Sequence, residues 1–479
     1  MQTGSTATAL SLRLTLVAAL GGLLFGYDTA VISGAVSALD TDFIRPLALS
    51  ETWRNTLSGL TVSSALFGCV AGSSIAGAIA DRLGRRVGLM LAGALFLVSA
   101  LGSAVPEFGL APFGTTNGTA LVAFIVYRLL CGTGIGIASM ISPLYIAEIA
   151  PKERRGLLVS LYQMAVVIGI VGVYFVNWII ARQGDEAWVD AIGWRLMLGS
   201  EALPSLVFLA LLIRVPDTPR WLVMTHREAA ARAVLGQLAP PAEAEATMAG
   251  IAASLSADAI RAPVLTYGSL VLVVGLLLSI FQQLVGINAV LYYAPLMFQN
   301  LGAGSDSAML QTVVIGTANM LSTVVAIVAV DRIGRKPLLI WGAAAMALPM
   351  LGLGVLFGLH SQGAAALALV VLYIIGFAVS WGPVVWVVLA EIFPGPIRGR
   401  AMAIAVAAQW IANLVVSWSF RVLDGNSTLN LWFNHGFAYY LYGVMSILAG
   451  LFVWRMVPET AGRSLEAMEQ LWKEQHPAV

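Results

Sequence analysis

Residues Asp81–Arg86 read "DRLGRR", and Asp331–Lys336, about 250 residues further on, read "DRIGRK". Each is a small charged knot set between long apolar runs. Apolar blocks of roughly twenty residues suit helices that cross a bilayer, and spanning β-barrels use short alternating segments instead. Each knot therefore reads as a tight loop joining two spanning helices. Working outward, further pairs share nearly the same offset. "AEIAPKERRG" from Ala147 returns as "AEIFPGPIRGR" from Ala390, and "VPDTPR" from Val215 as "VPETAGR" from Val457. Gln163 in "YQMAVVIG" has a counterpart in Gln409 of "AQWIANLV", and "GYDTAV" at Gly26 faintly echoes "GINAV" at Gly286. The chain is a doubled unit.

Composition agrees. Of 479 residues, 59% are hydrophobic and 11% charged, where a soluble domain carries about 25% charge. The apolar blocks predict about twelve spans, at 11–39, 55–80, 86–105, 119–146, 157–181, 194–213, 266–300, 308–330, 337–359, 364–390, 400–423 and 437–456. The first is too long for a signal peptide and reads as a retained helix. The longest polar interruption follows Val215, and its Ala/Glu/Arg-rich pieces read as short surface helices. The predicted fold is all-α: a polytopic membrane protein of two pseudo-symmetric six-helix bundles (1–214 and 266–456), with a cytoplasmic linker (215–265) and tail (457–479).

Basic residues concentrate in alternate loops, roughly 20 of the 26 on one side. The positive-inside rule makes that side cytoplasmic, with both termini there and a cell-membrane location. Cys69 and Cys131 both fall inside spans and suggest neither a disulfide nor a metal site. Asn117 and Asn426 match the glycosylation pattern, as short patterns do by chance. Spans without a Ser/His, paired-carboxylate or metal-ligand cluster argue against an enzyme, and the lack of a GxxxxGK[ST] loop argues against ATP-driven transport. No cofactor or nucleic-acid partner is implied, and nothing requires more than a monomer. Doubled halves point to a transporter with its substrate site near the midplane between them.

Six motifs in order, "DRLGRR", "PLYIAEIAPKERRG", "PDTPR", "FQQLVGINAVLYYAP", "SWGPVVWVVLAEIFP" and "VPETAGRSLEA", resemble the sugar porter family of the major facilitator superfamily, most nearly its bacterial D-xylose:proton symporters. The resemblance implies two bundles rocking about a central sugar site. Amides suit a neutral sugar because each both donates and accepts, and aromatic rings suit its C–H faces. By resemblance, Gln163, Gln282, Gln283, Asn288, Trp386 and Gln409 fall on sugar-contacting positions, while Phe25, Tyr292, Gly382 and Trp410 match the cavity wall or gate. Asn319 is a further amide within a span. Where the xylose symporters have a second helix-5 glutamine, this chain has Ile170, a change that favours hexoses as rivals to xylose. Gly286 and Pro295 are positions able to interrupt the seventh span.

The charged motifs predict an ion-pair latch on the cytoplasmic side built from Asp81, Arg85, Glu148, Arg154, Asp217, Asp331, Arg335, Glu391 and Arg398. Deep in the spans lie Asp28, Arg128 and Glu201, and an ionisable group there is a functional site by default. Burial favours a neutral acid and a nearby arginine favours its carboxylate, so movement of Asp28 relative to Arg128 is able to switch its protonation. The resemblance agrees, since proton-coupled members carry Asp at this position and facilitators a neutral residue. The expected function is proton-coupled symport of D-xylose or D-glucose by alternating access. The rivals are a uniporter of the same fold and a membrane sugar sensor.

Overall fold

The computed structural model describes residues 2–151, 155–257, 263–300, 302–359, 364–394, 397–461, 468, 470 and 472. Among them are twelve helices long and apolar enough to cross a membrane: Ala9–Gly34, Glu51–Leu83, Arg85–Ala104, Gly118–Ile149, Leu157–Ala181, Glu186–Leu212, Ser269–Asn300, Asp306–Ala326, Arg335–Gly358, Ala364–Ile392, Arg398–Asp424 and Phe437–Met456. They are numbered here as spans 1 to 12, and each matches one predicted from the apolar blocks. Apolar side chains cover their surfaces, as hydrocarbon demands. Helices pack closely inside each half: a Cβ on Gly132 of span 4 would stand 1.7 Å from the Ala65 carbonyl of span 2, the small-residue contact that lets membrane helices approach.

Between the halves, helices Pro219–Met224, Glu228–Leu238 and Pro241–Ala257 close a small core of Trp221, Leu222, Ala231, Leu235, Ala244 and Met248. The predicted linker helices are therefore present. Both glycosylation-pattern asparagines act as helix caps. Asn117 Oδ1 accepts from Ala120 N at 2.9 Å, and Asn426 Oδ1 from Leu429 N at 2.9 Å, which satisfies N–H groups a helix start leaves orphaned.

Three spans are broken: span 6 at Ser200–Glu201, between Trp194–Gly199 and Ala202–Leu212, and spans 7 and 10. Span 7 consists of Ser269–Leu284 and Ile287–Asn300. The break is at Gly286, whose φ of +92° suits glycine; a Cβ there would also meet the Tyr442 ring at 2.4 Å. Pro295, the other candidate breaker, lies inside the second helix. Span 10 breaks at Ser380, between Ala364–Val379 and Trp381–Ile392.

The halves meet firmly at one end. Asn55 Nδ2 donates to Gly425 O at 2.7 Å, Trp418 Nε1 to Thr56 O at 3.1 Å, Arg421 Nε to Ser58 Oγ at 3.2 Å and Ser427 N to Glu51 Oε1 at 2.7 Å. Tyr174 OH donates to Leu291 O at 2.8 Å, a little deeper along spans 5 and 7. This seam joins the start of span 2 to the end of span 11.

Candidate functional site

The charged motifs lie at the end opposite the seam. Arg85 grips Glu148 with two bonds, Nε to Oε2 at 3.1 Å and Nη2 to Oε1 at 2.9 Å, while its Nη1 reaches Ala80 O at 2.9 Å and Asp81 Oδ1 at 3.4 Å. The second half repeats the pattern. Arg335 Nη2 donates to Glu391 Oε1 at 3.1 Å and Nη1 to Val330 O at 3.2 Å. Asp217 Oδ1 accepts from the backbone N–H groups of Arg85 and Arg86 at 2.8 and 3.1 Å. Glu459 does the same for Arg335 and Lys336 at 3.1 and 3.0 Å. Each carboxylate caps the helix start that follows its knot, where a negative charge is favoured.

The turns that allow this are at Gly84 and Gly334, with φ of +96° and +94°. Thr218 donates to Glu148 at 2.5 Å and Thr460 to Glu391 at 2.6 Å. Glu459, Thr218 and Thr460 were not singled out from sequence, although the "PDT"/"PET" repeat carried the signal. Arg398 Nε holds Phe393 O at 3.1 Å. Arg154 lies outside the described residues, as does the side chain of Asp331.

Among the described residues, the bonds of the predicted latch run within a half. With the seam closed at the far end, each charge cluster anchors the helices of its own bundle.

In the middle of the molecule spans 7 and 10 face each other near their breaks. Gln282 Nε2 donates to Trp381 O at 2.9 Å and to Gly382 O at 3.2 Å, beside the break in span 10. Gln409 Nε2 donates to Gln282 Oε1 at 2.5 Å, Gln283 Nε2 to the same oxygen at 3.3 Å and Asn288 Nδ2 to Gln283 Oε1 at 2.6 Å. Four of the six predicted sugar contacts thus form one network. Gln163 and Trp386 stay outside it, half-buried and 37% exposed respectively. Asn319 is buried and also outside, while Ile170 is buried at its predicted place on span 5. Phe25 of the first half packs on Trp410 of the second, with centroids 5.8 Å apart.

Beside this centre is the buried charge. Arg128 Nη1 donates to Asp28 Oδ1, with both side chains almost wholly enclosed. Asp28 Oδ2, Arg128 Nε and Glu201 Oε1 are buried without a hydrogen-bond partner. One oxygen each of Asp28 and Glu201 lie within 4.8 Å of each other, so three helices bring the three predicted coupling residues together. A narrow cavity of about 10 Å³ reaches the pair, lined among others by Asp28, Arg128, Cys69, Tyr292 and Trp410. That is room for about one water at most.

Sequence reading missed two other buried charge groups because their members sit at helix ends and in loops. Arg195 Nη1 bonds Glu107 at 2.9 Å. Burial pushes the Glu107 carboxyl up, but the Gly114 N–H and Arg195 outweigh it and hold it below the usual range. At the seam, Arg421 lies 3.6 Å from Asp40 of the other half and 3.7 Å from Asp424, and Asp424 bonds His435 at 3.0 Å.

Two six-span bundles, sealed to each other at one end around a polar centre of amides and a buried ion pair, define a membrane transporter of the major facilitator class. The chain superposes on the inward-open conformation of the xylose transporter XylE from E. coli with a TM-score of 0.87 and 47% identity, covering 96% of this chain and 100% of that one. It is 49% identical over 467 residues to the D-xylose-proton symporter of Escherichia coli K12 (96% of this chain, 95% of that protein). It is also 49% identical over 467 residues to the glucose facilitated diffusion protein of Zymomonas mobilis (97% and 98%). The family model "Sugar (and other) transporter" matches residues 14–472. The chain belongs to this sugar transporter family, whose members move their substrate and do not transform it.

Proposed function

We propose that the protein is a proton-coupled symporter that carries a neutral monosaccharide, D-xylose or D-glucose, into the cell as a monomer. One observation carries the reading: the buried Asp28–Arg128 pair, with Glu201 beside it, shares a cavity with Tyr292 and Trp410 at the edge of the amide network. Asp28 is the proton carrier, and Arg128 decides when the proton is held. Gln282, Gln283, Asn288 and Gln409 bind the sugar, with Gln163 and Trp386 joining when it arrives. Phe25, Tyr292, Asn319, Gly382 and Trp410 shape the cavity. Both termini lie in the cytoplasm, so the hydrogen-bonded seam faces outside and the conformation is open inward.

The cycle follows from these parts. A proton on Asp28 weakens its hold on Arg128 and lets the bundles rock. The motif carboxylates and arginines re-pair across the halves when the inner side closes and return to their own bundles when it opens. One charge crossing 100 mV releases about 2.3 kcal/mol, enough for roughly a 50-fold sugar gradient at about 1.36 kcal/mol per decade.

A uniporter is the second reading, and the equal likeness to a symporter and to a facilitated-diffusion protein favours keeping it. Proteoliposomes separate the two. With an inward proton gradient, wild type should accumulate labelled xylose or glucose, while Asp28→Asn should only equilibrate or exchange it. Wild type that merely equilibrates, with the variant indistinguishable from it, makes this a uniporter and Asp28 structural.

A further inference from the structure

Cys131 is a fully buried thiol that the transport cycle above does not use. It follows Arg128 by three residues on span 4, so helical spacing sets the two on one face. One oxygen of Asp28, one of Glu201 and the Cys131 Sγ all lie within 4.8 Å of one another. Three atoms that close share a point no more than about 2.8 Å from each. Bonds to zinc are about 2.3 Å from sulfur and about 2.0–2.2 Å from carboxylate oxygen, so side-chain shifts of somewhat over half an ångström would complete three bonds.

Each of the two carboxylates has one oxygen, Asp28 Oδ2 and Glu201 Oε1, that is buried and has no hydrogen-bond partner. Such atoms carry a desolvation cost that a cation would remove. The charges also balance. Two carboxylates and a thiolate, less the Arg128 guanidinium, leave two negative charges for a divalent ion. Carboxylates alone would be a hard-cation site, whereas the thiolate selects soft metals over magnesium or calcium.

We propose that Asp28, Cys131 and Glu201 form a site for a soft divalent cation of the zinc or cadmium kind, which takes the place of the proton and arrests transport. The ligands must lose their protons to bind the ion, so affinity falls as pH falls. The arrest rests on the symport reading given above, but the binding does not. From sequence the thiol looked like filler because its two partners come from other helices.

The test is titration of the purified full-length protein with cadmium chloride. Bound metal is counted by equilibrium dialysis, and the ultraviolet thiolate-to-cadmium charge-transfer band is followed. The expected result is one ion per chain, bound more tightly at higher pH, with magnesium failing to compete. Cys131→Ser should lose the band and weaken binding by at least about tenfold, and Cys69→Ser should keep both. Cys131→Ala and Asp28→Asn provide the same comparison if the serine variant folds poorly. In proteoliposomes, cadmium should stop proton-driven uptake by Cys69→Ser but spare Cys131→Ser. Absence of the band in wild type overturns the site, and so does its persistence in both Cys131 variants. Metal binding with the right variant pattern, in a protein whose uptake ignores the proton gradient, keeps the site and discards the symport reading instead.

Discussion

Gly59 lies on span 2 where it crosses span 11 in the seam. A Cβ at this position would stand 2.6 Å from the Trp418 carbonyl oxygen, 2.9 Å from Trp418 Cδ1 and 3.3 Å from Arg421 Cβ. The nearest obstacle is backbone and cannot rotate away. To reach an ordinary contact of 3.4 Å the helices must part by about 0.8 Å. Overpacking of this kind costs about 1–3 kcal/mol, and only while the seam is closed. At about 1.36 kcal/mol per tenfold, Gly59→Ala shifts the balance toward a parted seam by between about fivefold and somewhat over a hundredfold. Gly59→Leu should lie at or beyond the upper end. Spin labels at the exposed Trp53 and Leu431 positions, in a background without Cys69 and Cys131, report the seam by pulsed dipolar spectroscopy. A long-distance population should grow from wild type to Ala to Leu while net uptake falls in the same order. A Gly59→Leu protein with wild-type distances and wild-type uptake would refute the steric argument.

Other outcomes follow from the geometry. Gly84→Ala and Gly334→Ala force a side chain into the left-handed region, at about 1–3 kcal/mol each. Gly84→Ala should lower the melting temperature more, because its Cβ meets Asp217 Oδ2 at 2.6 Å where the other meets Glu459 Oε2 at 3.1 Å. The hydrogen bond that His435 Nδ1 donates to the Asp424 carboxylate raises the His435 pKa above 6.5, against the effect of burial. Its stabilising contribution is therefore full below pH 6.5 and lost as pH rises through the raised value. The stability gap between wild type and His435→Asn, a residue that tolerates the φ of +65° at this position, should narrow over that window in thermal melts. Ile170→Gln adds an amide to the centre; a new hydrogen bond of about 1–1.5 kcal/mol should raise preference for xylose over glucose up to about tenfold in competition uptake.

The spans were legible because hydrocarbon leaves few choices: a helix must satisfy its own backbone, so length and apolarity suffice. The doubling was legible because Arg85 and Arg335 make the same bonds in both halves, and their residue types had to be kept together. The break at Gly286 could be read, but not why Pro295 leaves its helix intact or that Ser380 breaks span 10. Those depend on packing between helices, which no local pattern displays; at the Gly286 break, for instance, the Tyr373 hydroxyl of span 10 donates to the Val285 carbonyl at 2.9 Å. Asp28, Arg128 and Glu201 were found by their cost in hydrocarbon. Asp40, Glu107 and Asp424 carry the same cost but sit at helix ends, where sequence cannot tell a buried charge from a wetted one. Glu459 was within reach: it repeats Asp217 in the "PDT"/"PET" pair and bonds backbone in the same way.

The amide network of span 7 also bears on how a carrier lets go. Gln282, Gln283, Asn288 and Gln409 are bonded to one another. If these amides bind the sugar as proposed above, an arriving sugar exchanges hydroxyls for bonds the protein already has, so each contact gains only the small difference between two similar bonds. Most of these amide groups are already partnered, while Gln409 Oε1 is buried without a partner. On that reading affinity is held down by the bonds the sugar must displace, and Gln409 Oε1 is the one buried acceptor a hydroxyl meets without displacing any. Turnover then depends on how fast the bundles rock, with little time lost to a substrate that clings.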